Sequence, residues 1–327
     1  MFEEIWAIGI DLGGTKIEIA RVNGDGSYRQ RLTRPTIAAR GAAAIKREII
    51  TCLKDMLQEA DSPPAGIGVG LAGQIDRHKG SVHFSPNLGW QNEPFREELE
   101  EALKLPVMVI NDVRAATLGE WWHGAGKSCA DLVCLFIGTG IGGGVVSGGR
   151  ILIGDSNSAG ELGHTTVDWH GPPCRCGNKG CLEAWAGGWA IAQRAQELII
   201  NNRAAGNALL NIAGGKIEEV SAQVVAEGFK KGDPLARQII EEVKEALIAG
   251  TVSLVNAFNP QRLILGGGVM AGLPELRKFI EAGIKERALR AATVSLEVLP
   301  AKLGNMAGVI GAGCLVIQTL GKKEKIL

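Results

Sequence analysis

A strand, a glycine turn and a second strand occur twice in this chain, and that repeat limits the folds open to it. In the first copy, the apolar run Ile5-Trp6-Ala7-Ile8-Gly9-Ile10 ends in Asp11-Leu12-Gly13-Gly14-Thr15, and a second run extends from Ile17 to Val22. In the second copy, Leu132 to Ile137 is apolar, Gly138-Thr139-Gly140-Ile141-Gly142-Gly143-Gly144 follows, and Val145-Val146 continues it. Apolar runs joined by tight glycine turns read as hairpins. Their recurrence points to two related halves, and 327 residues suffice for two medium domains. Glycine supplies 46 of the residues, roughly twice the usual share. Many tight turns and close backbone approaches are therefore expected.

Between and after the hairpins, strands alternate with helices. Apolar residues recur at helical spacing from Ala42 to Ala60, Phe95 to Lys104, and Val113 to Trp122. Ile67 to Leu71 and Val107 to Ile110 read as buried strands. Past the second hairpin the chain is mostly helical: Leu182 to Asn201, Ser221 to Lys230, Pro234 to Phe258 and Pro274 to Leu289, with strands at Arg262 to Leu265 and Val294 to Leu299. Mixed elements of this kind predict an α/β fold.

The irregular stretch from Gly154 to Gly180 carries the densest chemistry. Cys174, Cys176 and Cys181 place three thiols within eight residues, and His164 lies ten residues before the first. Three thiolates and one imidazole make a closed tetrahedral set that suits a structural zinc ion and leaves no open position for catalysis. The bland alternative is three reduced surface cysteines, which at this density are an oxidation liability. A catalytic deaminase zinc would need His-x-Glu and Pro-Cys-x-x-Cys, and neither occurs.

Two glycine motifs are decoys. Gly138-x-Gly140-x-x-Gly143 has dinucleotide-fingerprint spacing, but that fingerprint must open a helix, and here a hairpin through Ser147-Gly148-Gly149-Arg150 follows. Gly124-Ala125-Gly126-Lys127-Ser128 resembles the end of a Walker A loop, but Trp121 stands where the first glycine belongs. The paired turns remain: Asp11-x-Gly13-Gly14-Thr15-Lys16 and Gly138-Thr139-Gly140, with Gly266-Gly267-Gly268 after a later strand. Bare backbone N–H groups in such turns can wrap phosphate oxygens. Asp11 can hold magnesium, and Thr15 and Thr139 can donate hydroxyls. Ordinary hairpin turns are the plain alternative.

Lys+Arg and Asp+Glu balance at 35 each, so nothing global favours nucleic acid or an anionic membrane. The acidic start, Met1-Phe2-Glu3-Glu4, lacks the basic region of a secretion signal, and a cytoplasmic protein is expected. The uncharged stretch Leu303 to Gly321 is interrupted by Asn305, Gln318 and glycines, and reads as a docked helix rather than a membrane span. Lys322-Lys323-Glu324-Lys325 reads as a solvated tail.

Taken together, these pieces resemble the ROK family of sugar kinases and related repressors, from Asp11 to about Gly313. The most specific match is Glu161-x-x-His164 followed by Cys-x-Cys-Gly-x-x-Gly-Cys-x-Glu at Cys174 to Glu183. The resemblance implies the two-domain fold of actin and hexokinase, with ATP in a cleft between the domains. It places the smaller domain at 1–115 plus about 305–327 and the larger, zinc-bearing one at 116–304. Zinc would be bound by His164, Cys174, Cys176 and Cys181. Asn111-Asp112 matches the family's Asn-Asp motif, in which the Asp is the general base. Gly73, Asn87, Glu161, His164 and Glu183 match sugar contacts, and Gly266 to Gly268 with Met270 match the stretch near the adenosine.

The chemistry agrees: a carboxylate at a strand end can take a sugar hydroxyl's proton during attack on a γ-phosphate. For Asp112 the plain alternative is a helix N-cap. The chain departs from the family's usual Asn-Asp-x-Asn-Ala at Arg114. The expected activity is ATP-dependent phosphorylation of a hexose at O6, with glucose the first choice and N-acetylmannosamine, N-acetylglucosamine or fructose as alternatives. A homodimer or homotetramer is implied. A sugar-responsive repressor is disfavoured, because no basic helix appears and Ile5 already opens the first strand; a non-catalytic sugar-binding module is the third reading.

Overall fold

The computed structural model describes residues 5–322, which pack as two compact units. The charged run that begins at Lys322 continues outside the described residues. Unit 1 comprises residues up to 129, with 149–160 and 302 onward. It opens with β1 (Trp6–Leu12), β2 (Lys16–Asn23) and β3 (Tyr28–Pro35), followed by α1 (Ala42–Gln58) and β4 (Ile67–Leu71). Three short strands follow, β5 (Gln74–Ile75), β6 (Val82–Ser85) and β7 (Trp90–Glu93), then α2 (Phe95–Leu103), β8 (Val107–Asn111) and α3 (Asp112–His123). The main sheet runs β3-β2-β1-β4-β8, and β5-β6-β7 form a small second sheet.

Unit 2 comprises residues 130–148 and 161–301. It begins with β9 (Leu132–Ile137) and β10 (Ile141–Ser147); the two-residue β11 (Arg150–Ile151) that follows the next turn falls in the 149–160 segment of unit 1. The helices are α4 (Leu182–Ala186), α5 (Gly188–Asn201), α6 (Asn207–Ile212), α7 (Ala222–Lys230) and α8 (Pro234–Phe258). After β12 (Arg262–Gly266) come α9 (Gly268–Gly272), α10 (Leu276–Arg287), α11 (Arg290–Thr293) and β13 (Glu297–Pro300). The last element, α12 (Ala307–Lys322), returns to unit 1. The repeat read from the sequence is realised in the sheets. In unit 1, β1 pairs antiparallel with β2 and parallel with β4, and β4 pairs parallel with β8. In unit 2, β9 pairs antiparallel with β10 and parallel with β12, and β12 pairs parallel with β13.

Strand periodicity sorts β1 onto two faces. Trp6, Ile8, Ile10 and Leu12 share a buried cluster with Ile45, Ile49 and Leu53 of α1. Ala7, Gly9 and Asp11 alternate with them and face the other way, where α12 lies. A side chain at Gly9 would overlap the Val309 carbonyl, and one at Gly68 of β4 would overlap that of Ala312. The same holds between helices, where Gly119 of α3 meets the Ala307 carbonyl and Gly311 of α12 meets that of Ala115. All of α3, past the expected limit at residue 115, therefore packs within unit 1. The uncharged stretch near the C-terminus is this docked helix; among the described residues no helix is long and apolar enough to cross a membrane.

Several elements lie beyond the apolar pattern. Strand β3 is polar and almost wholly exposed, so it carries no alternation. The helix expected over Leu182 to Asn201 breaks at Gly187, which is extended and separates α4 from α5. Helix α8 follows its sequence cues: the Asp233 carboxylate accepts from the Ala236 N–H at 2.7 Å, Pro234 stands in the first turn, and left-handed Asn259 ends the helix.

Gly68→Ala should force β4 and α12 apart and destabilise the protein by about 1–3 kcal/mol. Urea denaturation checks this, and an unshifted midpoint would refute the close-packing account.

Candidate active site

In unit 1 the predicted residues gather at the carboxyl ends of β1, β4 and β8. Asp11 is in register with Glu18 of β2 and Gly70 of β4. The turn after β1 closes when the Gly13 N–H donates to the Lys16 carbonyl at 3.0 Å, and the Thr36 N–H donates to that of Thr15 at 2.8 Å. Lys16 is held by Glu18 at 3.3 Å. Gly14 packs on Asn87, since a Cβ there would lie 2.9 Å from the Asn87 Cβ. Asn87 sits in the turn between β6 and β7, so the small sheet brings it to the first glycine turn.

Asp112 is the first residue of α3, and the cap bond belongs to its neighbour: the Asn111 side chain accepts from the Arg114 N–H at 3.1 Å. The plain reading of Asp112 as the N-cap therefore fails. Its negative charge in the first helical turn is favoured by the helix dipole. The Asn111 amide also donates to the Gly73 carbonyl at 3.4 Å, joining two predicted sugar contacts. Burial, and then the nearby Asp112 carboxylate, push Asp11 from 3.8 up to about 7. Two carboxyl groups are thus placed close together.

In unit 2 the second turn is tied to α5. The Gly188 N–H donates to the Gly138 carbonyl and the Trp189 N–H to that of Thr139, both at 2.9 Å. Glu183, expected only as a sugar contact, also braces this turn. Its carboxylate accepts from the Ile141 N–H at 2.7 Å and the Trp189 indole N–H at 3.1 Å, and a side chain at Gly140 would overlap it. Gly138, Thr139 and Gly268 line a cavity of about 970 Å³ with Gly188, Trp189 and Ser221, at the upper end of small-molecule sites. Gly266 and Gly267 serve packing: side chains there would meet the Phe136 ring and the Ile137 carbonyl, and Gly267 has φ +93°. The contributions of α5 and α7 to this cavity carry no motif, and spacing could not reveal them.

His164, Cys174, Cys176 and Cys181 form one group whose ligand atoms all lie within 4.8 Å of one another. Cys174 Sγ is 3.7 Å from His164 Nδ1, and Cys176 Sγ is 3.7 Å from Cys181 Sγ. Four donors around one ion at ~2.3 Å stand about 3.8 Å apart, so the donor set fits a tetrahedral metal. Left-handed Gly177 and Gly180 turn the chain around the group, and a side chain at Gly180 would overlap the Asp168 carbonyl. Because His164 directs Nδ1 inward, Nε2 faces away from the thiols.

The raised Asp11 gives a pH dependence of defined sign. Between its ordinary 3.8 and about 7, the folded chain holds a proton that the unfolded chain has released. Stability contributed at Asp11 therefore falls as pH rises through that window. In magnesium-free buffer Tm should drop from pH 5 to pH 8, and Asp11→Asn should remove much of that drop. Equal slopes in both proteins would refute the assignment.

The ROK family model matches residues 7–319. A glucokinase of Halalkalibacterium halodurans is 36% identical over 324 residues, covering 98% of this chain and 97% of that protein. A xylose repressor of Caldicellulosiruptor bescii is 31% identical over 320 residues, covering 96% of this chain and 78% of that protein. Among solved structures, a ROK family glucokinase from Streptomyces griseus in complex with glucose and AMPPNP superposes with a TM-score of 0.78 at 32% identity, covering 96% of this chain and 99% of that one. Matched over nearly its whole length, the chain belongs to the ROK family and has the two-domain actin-like α/β fold of its kinases.

Proposed function

We propose that this protein is an ATP-dependent hexose kinase that transfers the γ-phosphoryl group of ATP to the 6-hydroxyl of its sugar, with glucose preferred. The observation that carries the reading is Asp112: a carboxylate at the end of β8, relieved of the cap by Asn111, beside the glycine turn that follows Asp11. Glucokinases similar over the full length support it.

The Asp112 carboxylate takes the proton of the sugar hydroxyl as the oxygen attacks the γ-phosphorus. The new P–O bond forms while the bond to the bridging oxygen breaks, and ADP leaves. Asp11 is the residue to hold magnesium, which neutralises developing phosphate charge. Backbone N–H groups of the Gly13-Gly14-Thr15-Lys16 and Gly138-Thr139-Gly140 turns serve the phosphates, and the cavity lined by Thr139, Ser221 and Gly268 takes the adenosine. Gly73, Asn87, Asn111, Glu161, His164 and Glu183 serve the sugar.

Zinc is the metal for the Cys₃His group. Its role is structural: it fixes the His164 ring so that Nε2 can meet a sugar hydroxyl. The family likeness also supports a cytoplasmic homodimer or homotetramer.

A sugar panel with coupled ADP detection tests the reading, with glucose expected first; no turnover with any hexose would overturn it. Asp112→Asn should lower kcat by about 10²–10⁴-fold while calorimetric sugar affinity is retained. Near-normal turnover would remove Asp112 as the base. Metal analysis should find one zinc per chain, and Cys176→Ser should weaken sugar binding more than ATP binding. Fully active, zinc-free protein would end the metal assignment.

A further inference from the structure

Arg114 is 4% exposed and lies two residues past Asp112. Its guanidinium donates to three acceptors on one loop: the Asn157 side-chain oxygen, the Asn157 carbonyl at 3.2 Å and the Ala159 carbonyl at 3.1 Å. Such a fork fixes direction as well as distance, because its N–H groups are coplanar. The loop needs an external anchor: Gly154, Asn157 and Gly160 all have positive φ, and within it the Ala159 N–H donates to the Ile153 carbonyl at 3.1 Å.

The connection does not stop at the loop. The Asn157 amide nitrogen donates to the Ile75 carbonyl at 2.8 Å. Ile75 lies two residues beyond Gly73, whose carbonyl accepts from Asn111 at 3.4 Å, and Asn111 in turn caps the Arg114 N–H at 3.1 Å. The bonds therefore close a ring: Gly73 to Asn111, Asn111 to Arg114, Arg114 to Asn157, Asn157 to Ile75, and back along the chain to Gly73. Asp112 sits on the arc of helix inside that ring.

We infer that Arg114 and Asn157 are positioning residues for the phosphoryl transfer, holding the first turn of α3 and the Gly73–Ile75 segment in one fixed relation so that Asp112 and the sugar contacts Gly73 and Asn111 keep their geometry. The inference rests on Asp112 being the base. It gives Arg114 a function inside unit 1 that needs no contact with phosphate. Asn suits position 157 because it tolerates the left-handed conformation and carries both an acceptor for Arg114 and a donor for Ile75.

Asn157→Gly is the sharpest test. It preserves the left-handed backbone and removes only the two amide contacts. Small misplacements of a reacting group carry large kinetic penalties, and kcat/KM for the sugar should fall by about tenfold, with a raised sugar KM and an ATP KM within about twofold of wild type. Arg114→Lys keeps the charge but loses the fork, and should reproduce that pattern. The double variant should lose little more than the worse single one, because both break the same ring. Loss of folded protein alone would lower kcat and leave both KM values in place, so that result would overturn the inference. So would equal rises in both KM values, unchanged kinetics, or independent losses that multiply in the double variant. A wild-type chain that phosphorylates no hexose would overturn the kinase reading and this inference together; an active wild type with unaffected variants would overturn this inference alone.

Discussion

Unit 1 depends on bare backbone meeting bare backbone. Helix α12 presses its carbonyls onto Gly9 and Gly68 of the sheet and crosses α3 at Gly119 and Gly311. No larger residue fits at these points, so the helix lies closer than side-chain packing would allow. The chemistry follows from that closeness. Gly308, in the first turn of α12, comes so near Asp11 that a Cβ there would be 2.9 Å from a carboxylate oxygen. Water is displaced from one side of the carboxyl, and its proton affinity rises. The packing that stabilises the unit thus also sets the protonation of its candidate metal-binding acid.

A different device organises unit 2. Its second glycine turn is held by side-chain and backbone bonds from α4 and α5, with Glu183 bonded to both Ile141 and Trp189. Glu183 follows Cys181 by two residues, so the Cys₃His loop and the bracing carboxylate share one short stretch of chain. Fixing the thiols fixes the start of α4, and α4 carries the group that shapes the turn. The zinc reading and the phosphate reading are coupled through that stretch. Arg175 adds to it by stacking over the Trp189 ring at 4.4 Å.

The two neighbouring carboxyl groups of unit 1 stand in different settings. Asp11 ends the buried strand at the centre of the sheet and is driven toward its neutral form. Asp112 opens a helix, where the peptide dipoles favour negative charge. On the proposed function, the acid that would hold magnesium and the carboxylate that would take the proton stand in these two settings.

Much of this could be read from the sequence. Strand β4 and helix α8 have the expected limits, Ile67 to Leu71 and Pro234 to Phe258, because apolar spacing is a property of adjacent residues. The Cys₃His set was legible for the same reason: ligand type and spacing along one loop define it. Strand β3 was not legible, since a polar edge strand has no buried face to impose a period, and β5, β6 and β7 are too short to display one. Nor could spacing show that Glu183 braces a glycine turn, that α7 lines the cavity, or that Arg114 reaches Asn157 across 43 positions of sequence. Those relations join residues far apart in the chain. The sequence by itself determined which elements form and which side chains have chemistry to offer. Only the tertiary structure decided which carboxyl is buried, which residue caps α3, and what each charged group holds, because burial and hydrogen-bond partnership exist only once distant segments are packed together.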